Sequence, residues 1–336
     1  MKVTVIGAGV AGLTTALALV ERGVEVLVLE RGASVGVASC SRFAGGMLAP
    51  WCERESAEDL VVTLGREALD YWPKHAPDVI TRGSLVLAQR RDEPYLERFS
   101  RRTSCGQVVD AERLAELEPD VSGRFRTGLF FADEAHLDPR RALPALAAKL
   151  ERLGVEIRCG VDASVQDAPG DAVVDCRGCA ARDAIPDLRG VKGEMLIVHC
   201  PEIKLSRPVR LVHPRFPLYV VPRRDGLYMI GATMIESSER GRVTARSVVE
   251  LLNAAYALHP AFAEAEIVEI GSDVRPAFPD NLPRLRRKGR VLQVNGLFRH
   301  GFLLAPALAR MAAGVLLDDA FYPEVMHEAH RQRSVA

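Results

Sequence analysis

"VTVIGAGVAGLTTALALVERGVEVLVLERG", residues 3–32, decides the fold. Val3, Val5 and Ile6 are β-branched and predict a short buried strand. Gly7, Gly9 and Gly12 follow in the spacing G-x-G-x-x-G, with Val10 and Ala11 between the last two. Leu13, Ala16, Leu17 and Val20 then share one helical face, and Gly23 stands where a helix-ending glycine belongs. "VEVLVLE" is a second strand that ends on Glu30. Strand, glycine turn, helix, strand is a βαβ unit. Its glycines permit a tight turn, close backbone approach to a pyrophosphate and close helix packing. The helix N-terminus offers free N–H groups and a positive dipole end to phosphates. Glu30 lies where an acid accepts hydrogen bonds from ribose hydroxyls. It would repel the 2′-phosphate of NADP, but it does not separate NAD from FAD.

Just beyond lies "ASCSRFAGGMLAP", residues 38–50, small and glycine-rich. It reads either as a linker or as backbone passing close to a flat ring, since Gly45 and Gly46 carry no side chain to obstruct one. No second G-x-G-x-x-G occurs. A single nucleotide site suggests that the reductant is a small substrate rather than a second nucleotide.

Composition narrows the remaining classes. The chain has 336 residues, 48% hydrophobic and 26% charged, enough for two domains or one with an inserted lobe. Lys+Arg and Asp+Glu are both 44, so no global basic field argues for nucleic acid. The local density "PRLRRKG" (283–289) reads as a solvated turn. Seven scattered cysteines and no evident signal peptide lead to the expectation of a reduced, cytoplasmic chain. The uncharged run Val3–Val20 is too rich in glycine for a membrane span, and no other segment is long and apolar enough.

The middle of the chain alternates. Residues 131–161 read as strand, loop, helix and strand, with Asp138 as helix cap, Pro139 at the first position and Pro144 expected to break or kink the first turn. Val173–Cys176 is another strand. "GSLVLAQ", "GLFFAD", "GEMLIVHC" and "AEIVEIGSDVRPAF" are short and β-rich. "VVPRRDGLYMIG" predicts a hairpin with Asp225-Gly226 at its tip, and residues 247–260 a helix. A mostly antiparallel sheet with a helix is therefore inserted in the nucleotide domain.

Few constellations carry chemistry. Cys176 and Cys179 form a CxxC, but no second pair gives it metal spacing, and a strand end beside the nucleotide is the preferred reading. No G-x-S-x-G and no H-E-x-x-H occur. Arg275 precedes Pro276, which biases it to extended backbone; it reads equally as a fork for a carboxylate or a surface arginine. In "NGLFRHGFLLAPALAR" (295–310), Arg299 and His300 interrupt an apolar run and need partners.

These pieces together resemble a family. "VIGAGVAG" with Glu30, "AGGML", "VKGEML", "YVVPR-DG" with "IGATM", "VRPAFPDNLP" and "FRHGFLLAP" occur in the order seen in the FAD-dependent D-amino-acid oxidase superfamily, most like the glycine oxidases of thiamine biosynthesis. The resemblance implies an α/β fold: a Rossmann-like FAD-binding domain of the glutathione-reductase-like, D-amino-acid oxidase type, with an α+β antiparallel-sheet substrate domain. The FAD-binding domain is then expected over 1–80, 138–190 and 287–336, and the substrate domain over 81–137 and 191–286.

The resemblance also implies roles. Arg275 would clamp a substrate carboxylate, with Tyr219 beside it, Met234 in the pocket wall and Arg299 at the pocket entrance near the flavin. Gly7, Gly9, Val10, Ala11, Gly12, Glu30, Arg31, Cys40, Ser41 and Ala163 would meet the dinucleotide portion of FAD. Gly45, Gly46 and Met47 on one edge, and Arg299, His300, Gly301, Phe302 and Leu303 on the other, would meet its ring. Arg42 and Phe43 are bulky where the family has small residues, "CRGCAAR" departs from its turn, and Pro50-Trp51-Cys52 falls where a mobile lid is expected, so that Trp51 would shape the pocket. The implied activity is oxidative deamination of glycine, sarcosine or a small D-amino acid by hydride transfer to flavin N5, with O2 as acceptor. The products are an oxo acid, ammonia and hydrogen peroxide. Rival readings are a D-amino-acid dehydrogenase that feeds a quinone or carrier, and a non-catalytic flavin-bound interaction protein. No metal, nucleic acid or membrane partner is expected, and a homo-oligomer is left open.

Overall fold

The structure, a computed structural model, describes residues 1–213 and 217–326. The chain begins with β1 (Lys2–Ile6), α1 (Val10–Val20), β2 (Glu25–Glu30), β3 (Met47–Leu48), α2 (Pro50–Glu53), α3 (Asp59–Gly65) and α4 (Glu67–His75). It continues with β4 (Ser84–Ala88), α5 (Glu93–Arg102), β5 (Gln107–Asp110), α6 (Ala111–Leu117), β6 (Thr127–Phe131), β7 (Ala135–His136), α7 (Pro139–Arg152), β8 (Glu156–Cys159) and β9 (Ala172–Asp175). Then come β10 (Arg189–His199), β11 (Val209–Val212), β12 (Leu218–Pro222), β13 (Leu227–Gly231), α8 (Ala245–Leu258), β14 (Glu266–Ala277), β15 (Arg284–Lys288), β16 (Val291–Asn295), α9 (Gly301–Leu317) and α10 (Pro323–Met326).

One sheet has the order β15-β16-β9-β1-β2-β8 and is parallel except for its β15 edge. β1 lies between β2 and β9, with Val5 opposite both Val28 and Val174. All three valines are fully buried, as expected of strands covered on both faces. α1 packs along α9. The parallel order places the ends of β1 and β9 side by side, the position at which such sheets take ligands.

The second sheet has the order β14-β10-β13-β12-β11-β4-β6-β5, antiparallel except where β11 meets β4. The β12–β13 hairpin turns where the sequence requires: Asp225 has φ 57° and Gly226 φ 69°, the left-handed pair that matches strand twist. Helix α8 covers this sheet, with Leu251, Ala255 and Leu258 buried against its apolar residues.

Three local expectations are corrected. "PRLRRKG" is strand β15 rather than a solvated turn. Its arginines are held by Asp280, Asp187 and Asp319, partners that local charge density does not reveal. Pro144 leaves α7 unbroken from Pro139 to Arg152, because buried Leu143, Leu146 and Leu150 pin that face to the core. Pro50-Trp51-Cys52 forms α2; Cys52 is fully buried and Trp51 packs among Ala49, Val86 and Phe99, so this stretch is core.

Prolines also explain one long-range bond. Pro306 lies inside α9 and has no N–H to return to the carbonyl of Phe302. Trp72 of α4, fully buried, supplies the donor: its Nε1–H reaches the Phe302 oxygen at 2.7 Å. Trp72→Phe keeps most of the packing but orphans that carbonyl. A loss of about 1–3 kcal/mol is expected in the denaturant midpoint of the purified protein; an unchanged midpoint would show that the carbonyl finds another donor.

Candidate active site

Two cavities meet at Cys40. The first, about 260 Å³, lies outside the ends of β1, β2 and β9 and is lined by Gly7, Gly9, Glu30, Arg31, Cys40, Ala163 and residues 176–180. Gly7 has φ 102°, and a Cβ there would stand 2.6 Å from the Cys176 carbonyl oxygen. A Cβ on Gly12 would stand 1.8 Å from the Gly7 oxygen, so turn and helix touch through absent side chains. The Val10 N–H in the first turn of α1 donates to Ser41 Oγ at 3.2 Å, which brings the 39–43 turn over the helix N-terminus. Glu30 is buried and fixed by the N–H groups of Ala8 (2.6 Å) and Gly32 (2.7 Å). A glycine cradle, a helix N-terminus and a fixed acid fit a dinucleotide such as FAD.

Cys176 and Cys179 line the same cavity as free thiols. Burial pushes Cys179 up to about 11 and Cys40 to about 12, so both stay protonated and unreactive at neutral pH. Among the described residues no group of three ligands could hold a metal ion.

The second cavity, about 410 Å³, gathers most of the other candidates. Val10, Cys40, Ser41, Gly45, Gly46, Met47, Tyr219, Met234, Arg275, Arg299, His300, Gly301, Phe302 and Leu303 all line it. A Cβ on Gly45 would come within 3.0 Å of the Tyr219 ring, and one on Gly46, at φ 69°, within 2.2 Å of the Leu137 oxygen. Phe43 lines the wall, while Trp51 does not. Ala11 lies in the first turn of α1.

Arg275 is distinctive. Its Nη1 donates to the Thr233 carbonyl at 3.1 Å, and among the described residues it forms no ion pair. Burial, with Arg299 nearby, lowers its pKa from the ordinary arginine value. A partly desolvated guanidinium without an acid is costly unless an anion arrives.

Arg299 and His300 have a partner that the sequence reading did not name, Glu53. Its Oε2 accepts from Arg299 Nη2 at 2.7 Å and lies 2.9 Å from His300 Nε2; its Oε1 accepts from Arg210. Arg299 is thus ion-paired, and its Nη1 also lies 3.8 Å from Met234 Sδ. Burial alone would raise Glu53, but Arg210, Arg299 and His300 hold it well below the usual carboxylate range. Burial, with Arg299 and Arg210 nearby, lowers the His300 pKa despite the contact with Glu53, so the imidazole is neutral at pH 7. One signal could have found Arg210: in "VRLV" it alternates with buried Val209 and Leu211, and it stands opposite Tyr219.

Residues 2–314 match the model of the DAO family, described as FAD dependent oxidoreductase. The chain is 57% identical over 325 residues to a Rhizobium etli protein assigned as the thiamine biosynthesis oxidoreductase ThiO, covering 96% of this chain and 99% of that one. It is 28% identical over 354 residues to the glycine oxidase of Pseudomonas aeruginosa, with 94% of each chain covered. The crystal structure of glycine oxidase from Geobacillus kaustophilus superposes with a TM-score of 0.81 at 24% identity, covering 97% of this chain and 98% of that one; this likeness speaks to the fold.

Beneath α2, Glu134 is fully buried, and its Oε1 accepts the Cys52 N–H at 2.8 Å while Oε2 has no partner. Burial pushes its carboxyl up to about 7. The folded state thus holds a proton that the unfolded chain releases near the ordinary glutamate value of about 4.3. Between these values the folded state binds more protons, so stability falls as pH rises toward 7. Glu134→Gln keeps the acceptor and removes the titration. Its unfolding free energy should exceed wild type at pH 8 by on the order of 1–3 kcal/mol and match it near pH 4; parallel pH profiles would contradict this.

Proposed function

The chain belongs to the family of FAD-dependent oxidoreductases, and from that premise we propose that it oxidatively deaminates a small amino acid such as glycine, sarcosine or a small D-amino acid. Water hydrolyses the imino acid to an oxo acid and ammonia, or methylamine from sarcosine, and with O2 as acceptor the electrons form hydrogen peroxide. The names of the relatives support the substrate class, and a place in thiamine biosynthesis rests on the Rhizobium etli relative.

The observation that carries this reading is Arg275, a partly desolvated guanidinium without an acid partner among the described residues, facing the cavity that adjoins the dinucleotide trough. A carboxylate is its complement in charge and fork geometry. Tyr219, on the same wall, can donate its hydroxyl to that carboxylate. The substrate is thereby held by one end, so that its Cα–H is presented in one direction, which is the main contribution a protein makes beside a redox cofactor. The amine must react as the free base. Gly7, Gly9, Val10, Ala11, Gly12, Glu30, Arg31, Cys40, Ser41 and Ala163 would hold the dinucleotide portion of FAD. Gly45 to Met47 and Arg299 to Leu303 would flank its ring. Bound flavin supplies the two-electron acceptor for the Cα–H bond, which no side chain of the chain can replace.

Arg275→Ala tests the reading. The variant should retain flavin, while its KM for amino acids rises on the order of 100-fold. An unchanged KM, measured by oxygen uptake, would mean that another group anchors the carboxylate.

A further inference from the structure

We infer that Gly193 is a positioning residue for the substrate carboxylate: its missing side chain is the slot through which Arg275 crosses strand β10 to reach the pocket. The inference rests on the reading of Arg275 given above. Gly193 is in the interior of β10, where a glycine weakens a strand and so asks for a reason. The backbone does not supply one, since Gly193 is not among the residues with positive φ. Space does. A Cβ built on Gly193 would lie 2.0 Å from Arg275 Nη2, 2.2 Å from Cζ and 2.5 Å from Nη1, and these three are its nearest neighbours.

The sheet register explains the contact. β14 pairs with β10 so that Asp273 stands opposite Gly193 and Arg275 opposite Val191. Alternation puts Gly193, Asp273 and Arg275 on one face of the sheet. On the other side of β10, the segment after β13 runs alongside: the Thr233 N–H donates to the Glu194 oxygen at 3.1 Å and the Ile235 N–H to the Lys192 oxygen at 3.0 Å. The guanidinium starts on β14, passes over Gly193 and places Nη1 on the Thr233 carbonyl at 3.1 Å. That anchor orients the fork and leaves its remaining N–H groups for the cavity, which Gly193 and Arg275 both line. Any side chain at 193 fills the slot. What gives way is the far end of the arginine rather than the strand, so an alanine there should fold and displace the clamp.

The test is a double-mutant cycle of Gly193→Ala and Arg275→Ala on the flavin-loaded protein. It is read by KM and kcat for glycine and by the Kd of glycolate, followed through flavin absorbance. Gly193→Ala should keep the flavin spectrum, raise the KM for glycine and the Kd of glycolate on the order of tenfold, and change kcat less. In the double variant these constants should equal those of Arg275→Ala alone, because the methyl group acts only through the guanidinium. Effects that multiply, or a wild-type KM in Gly193→Ala beside an impaired Arg275→Ala, overturn the inference and leave the clamp standing. A wild-type KM in Arg275→Ala overturns the clamp, and the inference with it. If Gly193→Ala alone does not accumulate, the double variant Gly193→Ala with Arg275→Ala should, since the atoms struck by the methyl are gone. Failure of that protein as well would assign the glycine to the strand and overturn the inference.

Discussion

The buried carboxylate of Glu53 is the point on which the site depends. It receives Arg210 from the eight-stranded sheet, and Arg299 and His300 from the approach to α9, the helix that packs on α1 beside the dinucleotide trough. One acid thus ties both sheets together at the wall of the cavity. Such a cluster is stable only when complete: removing one partner of a buried ion pair costs about 3–5 kcal/mol, because the remaining charge is left uncompensated. The same cluster commits Arg210 and Arg299 to Glu53. Among the described residues Arg275 is left without an acid, and the pocket keeps a cation for an incoming anion.

This division of the arginines gives the cavity its chemistry. Arg275 is partly desolvated and held by a single neutral carbonyl, an arrangement that a carboxylate ligand improves and water only partly relieves. The thiols nearby contribute nothing comparable, since burial keeps Cys40 and Cys179 protonated. The glycines are structural in a specific sense. Gly7 and Gly12 let the first turn close on itself, Gly45 leaves room for the Tyr219 ring, and Gly193 leaves room for the Arg275 guanidinium.

How far the sequence could be read follows sequence distance. The first βαβ unit was legible because its strand, turn and helix signals lie within 30 residues and agree with one another. The Asp225-Gly226 hairpin was legible for the same reason. Arg275, Tyr219, Arg299 and the flavin-side glycines came from a resemblance in ordered motifs, and they share one cavity. Glu53 and Arg210 were missed because their partners lie 157 to 247 residues away, and an acid in "WCERES" looks like surface. "PRLRRKG" was misread in the same way, since Asp187 and Asp319 are invisible to a local window. Pro144 and Trp51 were misplaced where buried apolar packing overrode local propensity.

In the proposed function the pocket selects a small amine by its carboxylate and passes its electrons to flavin. The most direct measurement is the flavin absorbance of the purified protein under anaerobic addition of glycine, sarcosine or D-alanine, compared with methylamine at the same concentration. Bleaching by one or more of the amino acids is expected, with none by methylamine, and hydrogen peroxide equivalent to the reduced flavin once air is admitted. A flavin that stays oxidised with all three amino acids, or that bleaches equally with methylamine, would contradict that function.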